Sequence, residues 1–221
     1  MYWQSVPPSR GMRFGATEVS QILIAVAALT LAFTIAQIGG VYAIGGLGGV
    51  SLATLGLVAL ASFVAVVTAF LLHELAHKAL AQRYGCHAEF RAFPMGLLLG
   101  VFTAAFGFLF AAPGAVMISG SVSPRQNARI SAAGPGTNFV LAGMFFGLAF
   151  LVGSATMRLA TLLSQLIASI AFVNLFLGGF NMVPFPPLDG SKIFAYNKPM
   201  WAGMIAVLVA LAYAGWSLGL I

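Results

Sequence analysis

The chain has 221 residues, of which 61% are hydrophobic and only 6% charged, against about 25% charged residues in an ordinary soluble domain. With a mean hydropathy of +1.02 it cannot furnish a water-facing surface, which excludes a soluble globular protein and predicts a single integral membrane domain over residues 1–221. The net charge of +6 comes from ten Lys and Arg set singly or in pairs between apolar runs, a placement that orients membrane helices and argues against a nucleic-acid partner.

A membrane-crossing helix needs about 20 apolar residues. Candidate segments run over roughly 20–44, 51–82, 96–118, 130–153, 159–182 and 200–221. The first follows Pro7, Pro8, Arg10 and Arg13 and is longer than the apolar core of a signal peptide, so it is expected to be a retained anchor. Gly45, Gly46, Gly48 and Gly49 separate it from the second. Arg83 to Pro94 is a polar connection holding the single Cys86, which excludes an internal disulfide. Ser119 to Arg129 is another connection, and Arg158 marks a short turn. Pro184, Pro186 and Pro187 end the fifth segment, because proline lacks the amide donor and clashes with the preceding turn.

Charge placement decides whether 96–118 crosses. With the amino terminus inside and 96–118 spanning, Arg10, Arg13, Lys78, Arg83, Arg91 and Arg158 lie inside and Arg125, Arg129, Lys192 and Lys198 outside, six against four. If the segment returns to the side it left, only Arg158 is outside, nine against one. The positive-inside bias favours the return. The sequence therefore predicts an all-α polytopic membrane protein with five spanning helices and a re-entrant hydrophobic segment at about 96–118. Gly96, Gly100, Gly107, Pro113 and Gly114 supply the breaks that a re-entrant turn or a β-hairpin needs; six spanning helices are the alternative. The return also brings the ends of the second and fifth segments to one face, the cytoplasmic one.

The chemistry sits in the second segment, where "LLHELAHKAL" interrupts an apolar run at 71–80. Positions i and i+4 share one helix face, so His73 and His77 can ligate one metal ion, while Glu74 beside them can activate a water. This is the H-E-x-x-H pattern of zinc hydrolases. A chance cluster on a solvated face is the bland alternative, but an ionisable residue at the bilayer centre costs at least about 2.5–3.5 kcal/mol. A catalytic zinc site takes three protein ligands and leaves the fourth position open. His87 and Glu89 lie in a polar connection, and Glu18 stands at a helix start. Asp189, in "NMVPFPPLDGSK" at 181–192, could be no more than an Asp-Gly turn. Two arguments favour it as a ligand. A zinc ion with ionised Asp189 and Glu74 sums to zero charge, which a low-dielectric setting tolerates. His73, five residues before Lys78 and ten before Arg83, lies roughly 8–15 Å inside its helix end, and Asp189, just before Lys192, can meet it near the same face.

Taken together, "HELAH" at 73–77, "AAGPGTNF" at 132–139 and "NLFLGGFNMVPFPPLDG" at 174–190 resemble the site-2 protease family of intramembrane zinc metalloproteases. The resemblance covers roughly residues 55–195, with a catalytic core over about 51–195. It departs in carrying Ser191 where many members have a second glycine after Asp-Gly. It implies one Zn2+ per chain held by His73, His77 and Asp189, with Glu74 activating water. It further implies that Asn181, in an N-x-x-P stretch, is a polar neighbour supporting substrate or oxyanion, and that Asn138, in G-P-x-x-N, packs or joins a polar network. The missing PDZ-like insertion suggests a minimal member.

The expected activity is hydrolysis of peptide bonds in or near transmembrane segments of membrane-protein substrates, in the cell membrane of a prokaryote and as part of regulated intramembrane proteolysis. A substrate helix must unwind before attack, so glycine-rich or helix-poor segments should be cut first. An edge of the re-entrant segment, if strand-like, could pair with the unwound substrate. A metal transporter is the rival from another class, but it needs a trail of ionisable residues across the membrane, and the remaining acids lie in connections or at a segment start. A catalytically inactive scaffold would show loss of Glu74 or a ligand, and none is lost.

Overall fold

The computed structural model describes residues 12–40, 51–154 and 158–221. The predicted glycine break at 45–49 and the charge of Arg10 lie outside these residues, as does the side chain of Arg158. Among the described residues, five helices are long and apolar enough to cross a membrane. They are α1 (Ala16–Gln37), α2 (Leu52–Arg83), α4 (Pro124–Gly153), α5 (Arg158–Asn181) and α7 (Lys198–Ser217). Local sequence starts them. Ser51 Oγ accepts from Thr54 N ahead of α2, and Ser123 and Gln126 form a reciprocal capping box with Pro124 in the first turn of α4. Asn197 Oδ1 accepts from Met200 N to begin α7. Each such cap satisfies amides that the first helical turn leaves without partners.

The described residues divide into two compact units, one drawn from Phe14–Val67 and Glu89–Met117 and the other from Thr68–Ala88 and Ile118–Ile221. The first unit packs α1 against the opening half of α2 and against a short helix, α3 (Pro94–Ala104). At 11 residues, α3 is about 16 Å long, half of the hydrocarbon core. Strand β1 (His87–Ala92) precedes it, and β2 (Gly114–Ser119) follows it and pairs with β1. Phe93 N donates to Pro113 O at 3.0 Å, so the chain returns to the place it left. The segment expected to be re-entrant is thus strand–helix–strand. The strands begin outside 96–118 on one side because Pro94, lacking an amide hydrogen, is suited to the first helical turn and converts the middle into α3. Gly107 (φ 83°) and Gly114 (φ 133°) make the turn back, in conformations that side chains rarely adopt.

The second unit contains the closing half of α2, with α4, α5, α6 (Asp189–Tyr196) and α7. Its apolar core joins Phe139, Ala142 and Phe146 of α4 to Ala171 and Leu175 of α5, with Met182 and Ile193. Helices α4 and α5 approach closely at Gly178, where a Cβ would lie 2.9 Å from that of Asn138.

Candidate metal centre

Between the two α-helical stretches of α2, residues Val66–Leu71 form a π-helical turn, and Leu72–Arg83 then carries both histidines. His73 and His77 are buried, one turn apart on one face. Helix α4 answers with its own row at the same spacing: Ile130, Gly134 and Asn138. His77 Nδ1 lies 2.7 Å from Ile130 O, and His73 Nδ1 lies 2.5 Å from Asn138 Oδ1. Gly134 sits between them, where an added Cβ would lie 2.6 Å from His73 Nε2 and collide with His77 Nε2 as well. The missing side chain keeps the space in front of both rings open.

Asp189 arrives from the proline-broken end of α5. Trp201 Nε1 donates to Met182 O at 2.7 Å, and Gly190 packs so closely on the same carbonyl that a Cβ would strike it. This seats the start of α6 and its first residue, Asp189. Its Oδ2 stands 3.0 Å from His77 Nε2 and 3.4 Å from His73 Nε2, and the two Nε2 atoms are 3.0 Å apart. The other oxygen, Oδ1, faces Lys192 Nζ at 3.7 Å.

These atoms fit a metal ion. A backbone carbonyl only accepts, so His77 Nδ1 carries its hydrogen and Nε2 keeps a lone pair. Three such donors edge to edge repel one another unless a cation lies among them. Tetrahedral zinc with bonds near 2.0–2.1 Å requires donor separations of about 3.3 Å, and those observed are 3.0–3.4 Å. Among the described residues, His73, His77 and Asp189 are the one group of three or more His, Cys, Asp or Glu side chains brought together in this way.

The other expected residues divide. Glu74 is half-buried directly after His73. Asn138 is fully buried and joins the site through His73. Asn181 is not drawn in: its Nδ2 donates back to Leu177 O of its own helix at 3.0 Å. Glu89 pairs with Arg91, and His87 is exposed at the start of β1. Sequence reasoning missed Gly134, the Ile130 carbonyl and Asn174. Of these only Asn174 carried a signal: it is a polar residue seven positions, two turns, before Asn181 in an apolar span.

Two histidines on a helix long and apolar enough to span, with an aspartate from the start of α6 brought against them, make the donor set of a metallohydrolase, and comparison with known proteins gives the family. A sequence model of peptidase family M50 matches residues 61–162. The chain is 42% identical over 149 residues to Methanocaldococcus jannaschii MJ0611, named as a candidate zinc metalloprotease, covering 66% of this chain and 75% of that protein. It is 28% identical to zinc metalloprotease MJ0392 of the same organism, over 72% of this chain and 40% of the relative. It is 32% identical to Mycobacterium tuberculosis Rip3, named likewise as a candidate zinc metalloprotease, over 59% of this chain and 29% of that one. No solved structure matches it. The chain belongs to peptidase family M50.

Proposed function

We propose that the chain is a zinc-dependent endopeptidase that hydrolyses peptide bonds in or beside transmembrane segments of other membrane proteins, at the cytoplasmic side of a prokaryotic cell membrane and within regulated intramembrane proteolysis. The observation that carries this reading is the triangle of His73 Nε2, His77 Nε2 and Asp189 Oδ2, built largely from a helix long and apolar enough to span. These three residues hold one zinc ion. Bound there, zinc supplies the Lewis acidity that polarises a scissile carbonyl and lets water attack near neutral pH.

The remaining steps belong to side chains. Glu74, one residue beyond His73, takes a proton from the attacking water and returns it to the leaving amide nitrogen. It is the base because both histidines have their ring nitrogens engaged, Nδ1 by α4 and Nε2 by the metal. Ionised Asp189 offsets part of the ion's charge in a medium that tolerates little net charge. Asn181, at the mouth of the proline turn, can exchange its bond to Leu177 O for one to a substrate backbone.

The test is cleavage of a labelled transmembrane reporter by the purified chain in lipid vesicles. A zinc chelator is expected to abolish cleavage, and added zinc to restore it. Cleavage that continues after metal is stripped to below one-tenth of stoichiometry would refute the reading.

A further inference from the structure

The buried asparagines of the site-bearing unit form a directed chain ending on His73. Asn174, fully buried in α5, donates from Nδ2 to Thr68 Oγ1 at 2.9 Å and to Ile170 O at 3.0 Å. This turns its Oδ1 toward Asn138 Nδ2, 3.4 Å away. Asn138 Nδ2 also donates to Ala69 O at 2.9 Å. A backbone carbonyl can only accept, so exchanging the amide oxygen and nitrogen of Asn138 would set oxygen against oxygen. Its Oδ1 therefore faces His73 Nδ1 at 2.5 Å and requires the hydrogen there. Nε2 is left with its lone pair toward His77 and Asp189.

Thr68 and Ala69 both belong to the π-helical turn Val66–Leu71. Such turns carry i→i+5 bonds and occur mostly at functional sites. One residue added to a helical turn rotates everything after it by about 100°, so this turn sets which face of α2 the histidines occupy. The two asparagines grip it at its hydroxyl and its carbonyl.

We propose that Asn138 and Asn174 are positioning residues which, through the π-helical turn, fix both the ring tautomer of His73 and the rotation at which it meets the metal. This rests on the reading of His73, His77 and Asp189 as a zinc site. It assigns Asn138 a specific demand, an acceptor for His73 Nδ1–H, and not merely a volume to fill.

The experiment measures zinc affinity by chelator competition on the purified full chain and on Asn138→Leu, Asn138→Asp and Thr68→Val, with helix content checked by circular dichroism. Asn138→Leu removes the acceptor and is expected to weaken zinc about 10–100-fold, the usual effect of losing a hydrogen-bond partner of a ligand. Asn138→Asp keeps an oxygen for Nδ1–H in either protonation state, and in its protonated form also a donor toward Ala69 O, so it should retain more zinc affinity than Asn138→Leu. Thr68→Val keeps the shape of the side chain, removes the hydroxyl that accepts from Asn174, and should weaken zinc by a smaller factor at unchanged helix content. In the cobalt-substituted protein, the visible bands should move for Asn138→Leu and hold for Asn138→Asp. A space-filling role predicts the opposite order, because leucine suits a buried apolar site better than a carboxyl group does. Leucine equal to or better than aspartate, or no loss in Thr68→Val, overturns the proposal while one zinc in the unmodified chain leaves the metal site standing. No zinc in the unmodified chain overturns the metal site itself.

Discussion

The two units both bury polar side chains, and they dispose of them differently. In the unit built on α1, Glu18 is buried, yet its Oε1 accepts from Phe90 N at 2.9 Å and its Oε2 from Gly15 N at 3.2 Å. Gln21 Oε1 likewise accepts from Ala92 N at 2.9 Å. These groups pair off with main-chain amides and tie β1 to α1. In the other unit, His73 and His77 each spend one ring nitrogen on α4, and the second nitrogens converge with Asp189 Oδ2 on one point. Burial alone does not mark a site. Convergence of lone pairs that the protein leaves to something else does.

Removing a member of each set should separate the two roles most widely. Asp189→Ala is expected to lower zinc affinity by orders of magnitude while helix content holds. Glu18→Leu is expected to leave zinc affinity unchanged and to destabilise the fold by about 1–3 kcal/mol, the cost of buried amides left without acceptors. Thermal unfolding and metal titration on both variants check this. Similar zinc losses in the two would dissolve the distinction.

A smaller effect tests the open space itself. Gly134→Ala puts a methyl group against both Nε2 atoms, whereas a Cβ at Gly136 meets nothing within 4 Å. Gly134→Ala should weaken zinc by about tenfold or more, on the scale seen for disturbed ligand surroundings, and Gly136→Ala should not. Smallest of all, His87→Ala and Glu89→Ala should leave affinity at its original value. Losses matching that of Asp189→Ala would move the ligand set to β1.

Much of this was readable from residues. The i, i+4 spacing of His73 and His77 fixes their common face in any helix. The prolines at 184, 186 and 187 mark the end of α5, and the second span falls close to expectation, Leu52–Arg83 against 51–82, whereas α4 begins at Pro124, inside the stretch 119–129 expected to be a connection. The expected return of 96–118 followed from charge placement, and its strand–helix–strand form did not, because a continuous apolar run has no period that separates α3 from β2. Residues Val66–Leu71 read VVTAFL and look like uninterrupted helix, so the π-helical turn left no mark. Gly134 acts by lacking a Cβ, and Ile130 by a carbonyl that every residue has; both become visible only once α2 and α4 are placed together. Asn138 was expected to join a polar network. Its orientation depends on Ala69 O, sixty-nine positions away in sequence.

The central claim is that three side chains hold the metal and Glu74 does the proton transfer. It is tested most directly by measuring bound zinc and reporter cleavage side by side in Glu74→Gln, which removes the base and keeps the side chain's size. Glu74→Gln is expected to hold one zinc per chain, as the unmodified protein does, with no detectable cleavage. Loss of zinc from this variant, or cleavage at the unmodified rate, would contradict it.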